Sequence, residues 1–343
     1  MQYRTLGAAG ASVSQFALGT MTFGRETSEA ESREMLDLYV AAGGNLIDTA
    51  DIYADRESER IVGRWLKSAA AEVRDNLVIA TKGRFPTGGG PNQLGLSRKH
   101  LAQALDASLQ RLGVETIDLY QLHSWDPHTS VEEQLEFLTA AVAAGKVHYV
   151  GLSNVTAWQL QRYMDVAEFR RLVRPVTIQP QYNLLAREIE WEVLPAAEFN
   201  GLGLLPWSPL AGGWLTGKYT RDAVPAGTRH DAAPGAMNGL DRRRSEERTW
   251  AVLDALAAVA DEHGVPQGRV AIAWLAGRSG VSSVILGART LAHLEDNLAS
   301  GDVVLTPQQR ERLDAASLPH VADYPYGELG QEQRTRRLHG GRW

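Results

Sequence analysis

The chain contains no cysteine. That single absence excludes disulfides, thiolate-ligated zinc, iron–sulfur clusters and a thiol nucleophile together. The sequence also lacks any uncharged apolar run near the roughly 18 residues that a membrane-spanning helix needs. Residues 1–23 are broken by Gly7, Gly10, Ser12, Ser14 and Gln15, so they do not read as a signal peptide. A soluble cytoplasmic protein is the expectation. A basic excess is missing too: 35 Lys and Arg stand against 41 Asp and Glu, a net charge of −6. Nucleic acid and anionic membrane are therefore disfavoured as partners, which leaves small molecules or protein. No Gly-x-Gly-x-x-Gly follows the first strand-like run, which removes the Rossmann route to a dinucleotide. No His-Glu-x-x-His occurs either, and no metal is expected.

What is present is a globular composition over 343 residues, a length open to one large barrel or two smaller domains. Eight short apolar and β-branched runs decide between them: 16–21, 45–49, 77–81, 117–122, 147–152, 176–181, 202–207 and 282–286. Helical periodicity fills the intervals, as at 31–42, 98–112 and 131–144, which is the alternation of parallel βαβ units. Ser28 before Glu31 and Ser130 before Glu133 have capping-box spacing, and Gly43, Gly113 and Gly145 stop helices. Eight units point to an α/β fold of the (β/α)8 TIM-barrel kind, with an open parallel sheet as the fallback.

Residues 2–6 and 11–15 flank Gly-Ala-Ala-Gly and predict a small N-terminal hairpin closing one end of the barrel. A Gly-, Pro-, Ala- and Arg-rich stretch at 218–244 predicts a long loop after the seventh strand, a candidate lid or binding loop. Two helices, 246–262 and 266–278, follow it. The barrel domain is placed at 1–315 and a C-terminal extension at 316–343.

A barrel gathers its active site at the carboxyl ends of its strands. Here those ends are polar: Asp48 with Tyr53 just beyond, Lys82, His123, Ser153-Asn154, Gln179, and Trp207-Ser208. An ammonium directly after Leu-Val-Ile-Ala-Thr is costly to bury without a carboxylate, and Asp48 on the preceding strand can supply one. A nearby cation is expected to lower the Tyr53 pKa and make it a better proton donor. With His123 able to hydrogen-bond a carbonyl oxygen, the four describe a site that polarises or protonates a carbonyl. Phe23, Phe85 and Trp125 follow strand ends and are candidates to wall a substrate pocket. Gly212 to Lys218 has phosphate-loop spacing, but Tyr219 stands where a magnesium-holding Ser or Thr is needed. A Schiff-base role for Lys82 is a further, weaker reading of the same residues.

The stretches Gly19-Thr20-Met21-Thr22-Phe23-Gly24, Ile47-Asp48-Thr49-Ala50-Asp51-Ile52-Tyr53 and Ala80-Thr81-Lys82 resemble the aldo-keto reductase superfamily. So do Asp118-Leu119-Tyr120-Gln121-Leu122-His123, Gly151-Leu152-Ser153-Asn154, Gln179 to Asn183, Trp207 to Tyr219, and Leu286 to Thr290. The resemblance runs in order from about residue 3 to about residue 313. It implies a barrel that reduces aldehydes or ketones with NADPH. By position, Tyr53 would be the general acid, Lys82 and Asp48 would tune it, and His123 would orient the carbonyl.

The same resemblance implies cofactor contacts from Thr20, Met21, Asp48, Ser153, Asn154 and Gln179, with Trp207 stacking on the nicotinamide. The segment Ser208, Pro209, Leu210, Ala211 and Gly212, with Lys218, would fold over the pyrophosphate. Gly287, Arg289, His293, Asp296 and Asn297 would meet the adenosine end, His293 standing where Gln is frequent. Arg289 and Lys218 suit a 2′-phosphate, hence NADPH over NADH. The motifs are similar also to the potassium-channel β-subunit branch, which implies an alternative: an NADPH-binding sensor subunit working through a protein partner. His123 stands where that branch generally carries Asn. Homo-oligomerisation is compatible with both.

Overall fold

The computed structural model describes residues 1–221, 240–321, 323–328 and 330. Its centre is a parallel sheet of eight strands. In chain order, after a hairpin of β1 (Tyr3–Thr5) and β2 (Ser12–Ser14), these are β3 (Phe16–Gly19), β4 (Leu46–Asp48), β5 (Val78–Gly83) and β6 (Ile117–Leu122). They continue as β7 (Val147–Ser153), β8 (Thr177–Gln179), β9 (Gly203–Leu204) and β10 (Val284–Gly287). Each of β3 to β9 pairs with the next, and β10 pairs with β3. A bridge between Leu204 and Val281, with Ser282 N–H donating to Leu204 O at 2.9 Å, joins the last edge and completes the ring. The eight runs thus form the (β/α)8 barrel that their spacing predicts.

Two runs are shortened the most. Residues 176–181 contribute only Thr177–Gln179, and 202–207 only Gly203–Leu204. Pro180 and Pro206 interrupt these runs, and a proline has no N–H to continue a ladder. Pairing resumes beyond them at the bridge between Gln181 and Trp207.

Alternation along the strands separates two cores. Leu46, Val78, Ala80, Leu119, Leu205 and Ile285 fill the barrel interior together with Leu6 and Val13 from the hairpin. Ile47, Ile79, Tyr120, Leu122, Val150 and Leu152 face outward against the helices. Continuing the inward phase toward the carboxyl ends brings Asp48, Lys82, Gln121 and His123 to the top of the interior. The apolar lower layers and the polar upper layer are one side-chain period, read along the same strands.

The N-terminal hairpin stoppers the opposite end. Arg4 donates to Ala276 O and Val281 O at 2.7 and 2.8 Å. Gly7, at φ +61°, lies so close to the chain that a Cβ there would meet Val176 O at 2.4 Å and Gly203 N at 2.5 Å. Helix starts follow the sequence signals: the Ser28 and Ser130 side chains accept from Glu31 N–H and Glu133 N–H, and Gly113 ends its helix in the left-handed region. The loop expected at 218–244 lies outside the described residues from 222 to 239, and the extension expected at 316–343 lies outside them at 322, 329 and 331–343. The helix Pro307–Ser317 crosses the expected boundary at 315.

That last helix is tied to the barrel by ions. Arg187, after β8, donates to both Glu190 oxygens at 2.8 Å, to Asp314 O at 2.8 Å and to Ser317 Oγ at 2.7 Å. Arg278 pairs with Asp314 at 3.0 Å, and both guanidinium groups lie over the Trp274 ring. Arg187 is almost fully buried, and its removal takes two charge-assisted donors from Glu190, leaving it the Tyr182 hydroxyl and a longer contact with Arg278 at 3.5 Å. Arg187→Met is expected to cost about 3 kcal/mol, as for other broken buried pairs, measured as a lower urea midpoint with an unchanged denaturant slope.

Candidate active site

Lys82 reaches the barrel mouth with its side chain fully buried, so its three N–H groups need three acceptors. It has them: Asp48 Oδ2 at 2.6 Å, Thr49 O at 2.8 Å and Tyr53 OH at 3.3 Å. The other Asp48 oxygen, Oδ1, accepts from Gln179 Nε2 at 2.9 Å and Gln121 Nε2 at 3.2 Å. The ion pair is thereby neutral overall and completely hydrogen-bonded, the condition under which a buried pair is tolerated. Burial pulls the Lys82 ammonium down, but Asp48 and Tyr53 outweigh it and hold its pKa above the ordinary lysine value.

Tyr53 is carried by a tight turn, Tyr53–Arg56, in which Ala54, Asp55 and Arg56 take φ of 48°, 52° and 76°. Three consecutive non-glycine residues in the left-handed region constitute real backbone strain. Among the described residues, the other non-glycine residues with positive φ, Asn154, Ser208 and Ala211, also stand at this end of the barrel, Arg171 excepted. Strain is therefore concentrated around the opening.

The Tyr53 pKa runs against the expectation. Burial pushes it above the ordinary tyrosine value, and the opposing pull of the Lys82 cation does not reverse that. Tyr53 is thus a protonated phenol across the neutral range. Its ring stands edge-on to His123 at 5.9 Å. Burial, with the Lys82 and Arg84 cations adding to it, holds the His123 pKa well below the usual imidazole range, so this ring is neutral. Its Nδ1 is buried without a partner.

Asn154 connects this group to the next wall. It donates to His123 O at 2.9 Å and to Ser153 Oγ at 3.0 Å, and its Oδ1 accepts from Trp207 Nε1 at 3.1 Å. Trp207 is therefore a half-buried ring locked in orientation beside the tetrad. Beyond it, Ser208, Ala211, Gly212 and Gly213 all take positive φ, and Asn183 holds Ser208 O at 2.9 Å. Pro209 is buried and Leu210 half-buried in this turn. A side chain at Gly213 would come within 2.6 Å of Lys218 Nζ, so the loop wraps closely on that ammonium. Lys218 and Arg289 both depress the His293 pKa, after burial, which places three basic groups together at the end of β10.

The remaining expected residues fall in distinct places. Gly287 closes β10 and is exposed, while buried Asn297 donates to its carbonyl at 3.2 Å. Asp296 is engaged by Arg269 at 2.7 Å. Met21 is 40% exposed at the rim, whereas Thr20 is fully buried with its hydroxyl on Asp48 O at 3.1 Å. Phe85 packs edge-on to His123 at 4.7 Å. Trp125 packs on Trp158 and Tyr163 at 5.3 and 5.8 Å. Phe23, expected as a pocket wall, is fully buried in the outer core and offers no surface to a substrate. It lies four residues beyond the end of β3, in a turn where its N–H donates back to Thr20 O at 3.1 Å.

Two contributors escaped the sequence reading. Gln121 bridges Asp48 and Gln179, and the signal was a polar residue in phase with His123 on a buried strand. Asp51 sits behind the mouth, fully buried, with neither carboxylate oxygen partnered. Burial, with the Glu59 charge beside it, pushes its pKa up to about 7, against opposing pulls from Arg111, Lys82 and Arg56. Glu59 is itself held by Arg111 at 2.6 Å and by the Thr81 hydroxyl at 2.6 Å.

A protonated phenol, a neutral imidazole, a locked indole and a basic cluster stand around one barrel mouth, an arrangement of the class that can polarise a carbonyl. The comparisons agree with that class. A model of the aldo/keto reductase family matches residues 15–318. The chain is 37% identical over 319 residues to a probable voltage-gated potassium channel subunit beta from Oryza sativa subsp. japonica, covering 92% of this chain and 96% of that protein. It is 35% identical over 354 residues to Protein tas of Escherichia coli strain K12, covering 95% and 99%. It is 33% identical over 342 residues to versiconal hemiacetal acetate reductase of Aspergillus parasiticus, covering 93% and 98%. The chain belongs to the aldo/keto reductase family, a family of oxidoreductases that act on small carbonyl compounds with a nicotinamide cofactor.

The raised Asp51 pKa has a signed consequence for stability. The folded state holds a proton that the unfolded chain releases near the ordinary aspartate value, so stability falls as pH rises from about 4 to about 7. Asp51→Asn removes that dependence. Its urea midpoint, relative to wild type, is expected to be more favourable at pH 8 than at pH 4.5.

Proposed function

We propose that the protein is an NADPH-dependent reductase of aldehydes or ketones in which Tyr53 is the general acid. The observation that carries this reading is the direction of one hydrogen bond. Lys82 donates to the Tyr53 oxygen at 3.3 Å, so that oxygen acts as acceptor and its own hydrogen is left for a second oxygen at the mouth. A phenol with a raised pKa stays protonated until a partner arrives.

The residues fit a nicotinamide dinucleotide. The Trp207 ring is fixed by Asn154 and offers a stacking face. The turn from Ser208 to Gly213, positive in φ at four of its residues, lies beside Lys218, and Lys218, Arg289 and His293 form a cluster suited to phosphate. Arg289 and Lys218 also suit a 2′-phosphate, which favours NADPH over NADH. When bound, the nicotinamide supplies the hydride that the carbonyl carbon receives.

The chain's own contribution is to the oxygen. His123, neutral and with Nδ1 buried, has Nε2 left to hydrogen-bond the carbonyl oxygen and aim it at Tyr53. The Tyr53 O–H bond breaks and its proton passes to that oxygen as negative charge develops there. The phenolate that remains is held by the Lys82 ammonium, whose charge is balanced by Asp48, and solvent restores the proton. Gln121 and Gln179 keep the carboxylate from rotating away from Lys82.

A second reading has one observation in its favour, the 37% identity to a probable potassium channel subunit beta. In it, the same pocket senses the cofactor and the output is a protein contact. Tyr53→Phe separates the two. As a reductase, the variant is expected to lose on the order of 10² to 10⁴ in kcat/KM with aldehyde substrates while binding NADPH with little change. Full turnover by Tyr53→Phe would show the acid to be elsewhere. In direct titrations, NADPH is expected to bind more tightly than NADH, and Arg289→Ala to narrow the gap.

A further inference from the structure

The substrate side of the mouth carries a cation that the proposed chemistry does not use. Arg84 follows the end of β5, two residues after Lys82, and is half-buried. Its guanidinium carbon lies 5.0 Å from the centre of the Phe85 ring, and Phe85 in turn packs on His123 at 4.7 Å. One terminal nitrogen donates to Trp125 O at 3.2 Å. Its Nε is buried with no acceptor. Arg84 thus bridges the β5 and β6 loops on the side of the tetrad away from Trp207 and the basic cluster of Lys218, Arg289 and His293.

Among the described residues no carboxylate lies in ion-pair contact with Arg84. Its charge does bear on Asp126, yet the Asp126 oxygens are taken up elsewhere, by Leu96 N–H at 2.7 Å, His128 N–H at 3.0 Å and the Thr129 hydroxyl at 2.8 Å. A half-buried guanidinium with one neutral acceptor and an orphaned N–H is an arrangement that leaves desolvation uncompensated. Among the described residues one of its five N–H groups is used, by Trp125 O, and a carboxylate, planar and anionic, is the partner that can take two of the terminal N–H donors in parallel.

We infer that Arg84 is a substrate-anchoring residue and that the preferred substrates are aldehydes or ketones bearing a carboxylate. The anchor lies beyond Phe85, so the reacting carbonyl meets Tyr53 and His123 while the anion is held at the rim. The Phe85 ring between them favours an apolar or aromatic spacer over a polyhydroxylated one. This inference rests on the reductase reading for the carbonyl, but the anion site stands on Arg84 itself.

The test compares 4-formylbenzoate with its methyl ester, which has the same ring and aldehyde without the charge. With NADPH, wild type is expected to favour the acid over the ester in kcat/KM by about 10- to 100-fold, the range of a charge-assisted pair. Arg84→Gln is expected to bring that ratio near one, and Arg84→Lys to keep part of it, since an ammonium retains the charge but not the fork. A calorimetric titration with benzoate on the full chain, in the presence of NADP⁺ and without turnover, reads the anion site directly. Equal use of acid and ester by wild type, or a ratio that survives in Arg84→Gln, overturns the anchor while leaving carbonyl reduction intact. No turnover of either aldehyde, with benzoate binding that is lost in Arg84→Gln, keeps the anchor and removes the reductase reading. Absence of both turnover and Arg84-dependent benzoate binding overturns the two together.

Discussion

The ion pair between Lys82 and Asp48 is the constraint around which the mouth is arranged. A fully buried ammonium is tolerable only with its charge matched and every N–H accepted, and each of those requirements fixes another residue. Asp48 matches the charge. Gln121 and Gln179 then fix Asp48, and Thr49 O and Tyr53 take the remaining donors. Because these groups come from β4, β5, β6 and β8 and from the turn after β4, the pair can form only when the ring of strands is in register. Fold and chemistry are therefore linked through one contact: a slip of any of these strands by one residue would turn its polar group into the outer core.

The electrostatics divide the mouth into two signs of behaviour. Tyr53 and His123 are kept neutral by burial, one as phenol and one as imidazole, so neither changes charge near neutrality. Behind them the outward-facing layer holds Asp51 and Glu59 against a single Arg111, with the Tyr120 hydroxyl also unpartnered. Burial first, and then the Glu59 charge beside it, is what raises Asp51. A proton held there lessens the negative charge beside the strand that carries Lys82, so the layer acts on the field felt by the tetrad without touching its reactants.

Much of this was legible in the sequence, for identifiable reasons. The strands were readable because buried parallel strands are continuously apolar, and the tetrad because polar residues at the ends of such runs have few structural excuses. The shortness of β8 and β9 was readable in principle, since Pro180 and Pro206 sit inside the runs. The placement of Phe23 was not, because distance from a strand end does not tell whether the chain continues over the mouth or turns down beside it. The direction of the Tyr53 pKa is hidden for a similar reason: the Lys82 charge is visible as a residue type, whereas the burial that outweighs it exists only in three dimensions. Nothing in the sequence marks Arg84; its lack of a counter-ion among the described residues shows only once the oxygens of Asp126 are seen to be taken up elsewhere.

The hairpin of β1 and β2 fills the lower end of the barrel with Leu6 and Val13 and seals it with Arg4 and Gly7. The barrel is consequently a vessel with one door. Anything that reacts inside must arrive and depart through the same opening, past the same Trp207, Phe85 and Arg84. Two molecules sharing such a vessel cannot exchange independently: whichever lies deeper waits for the other to leave.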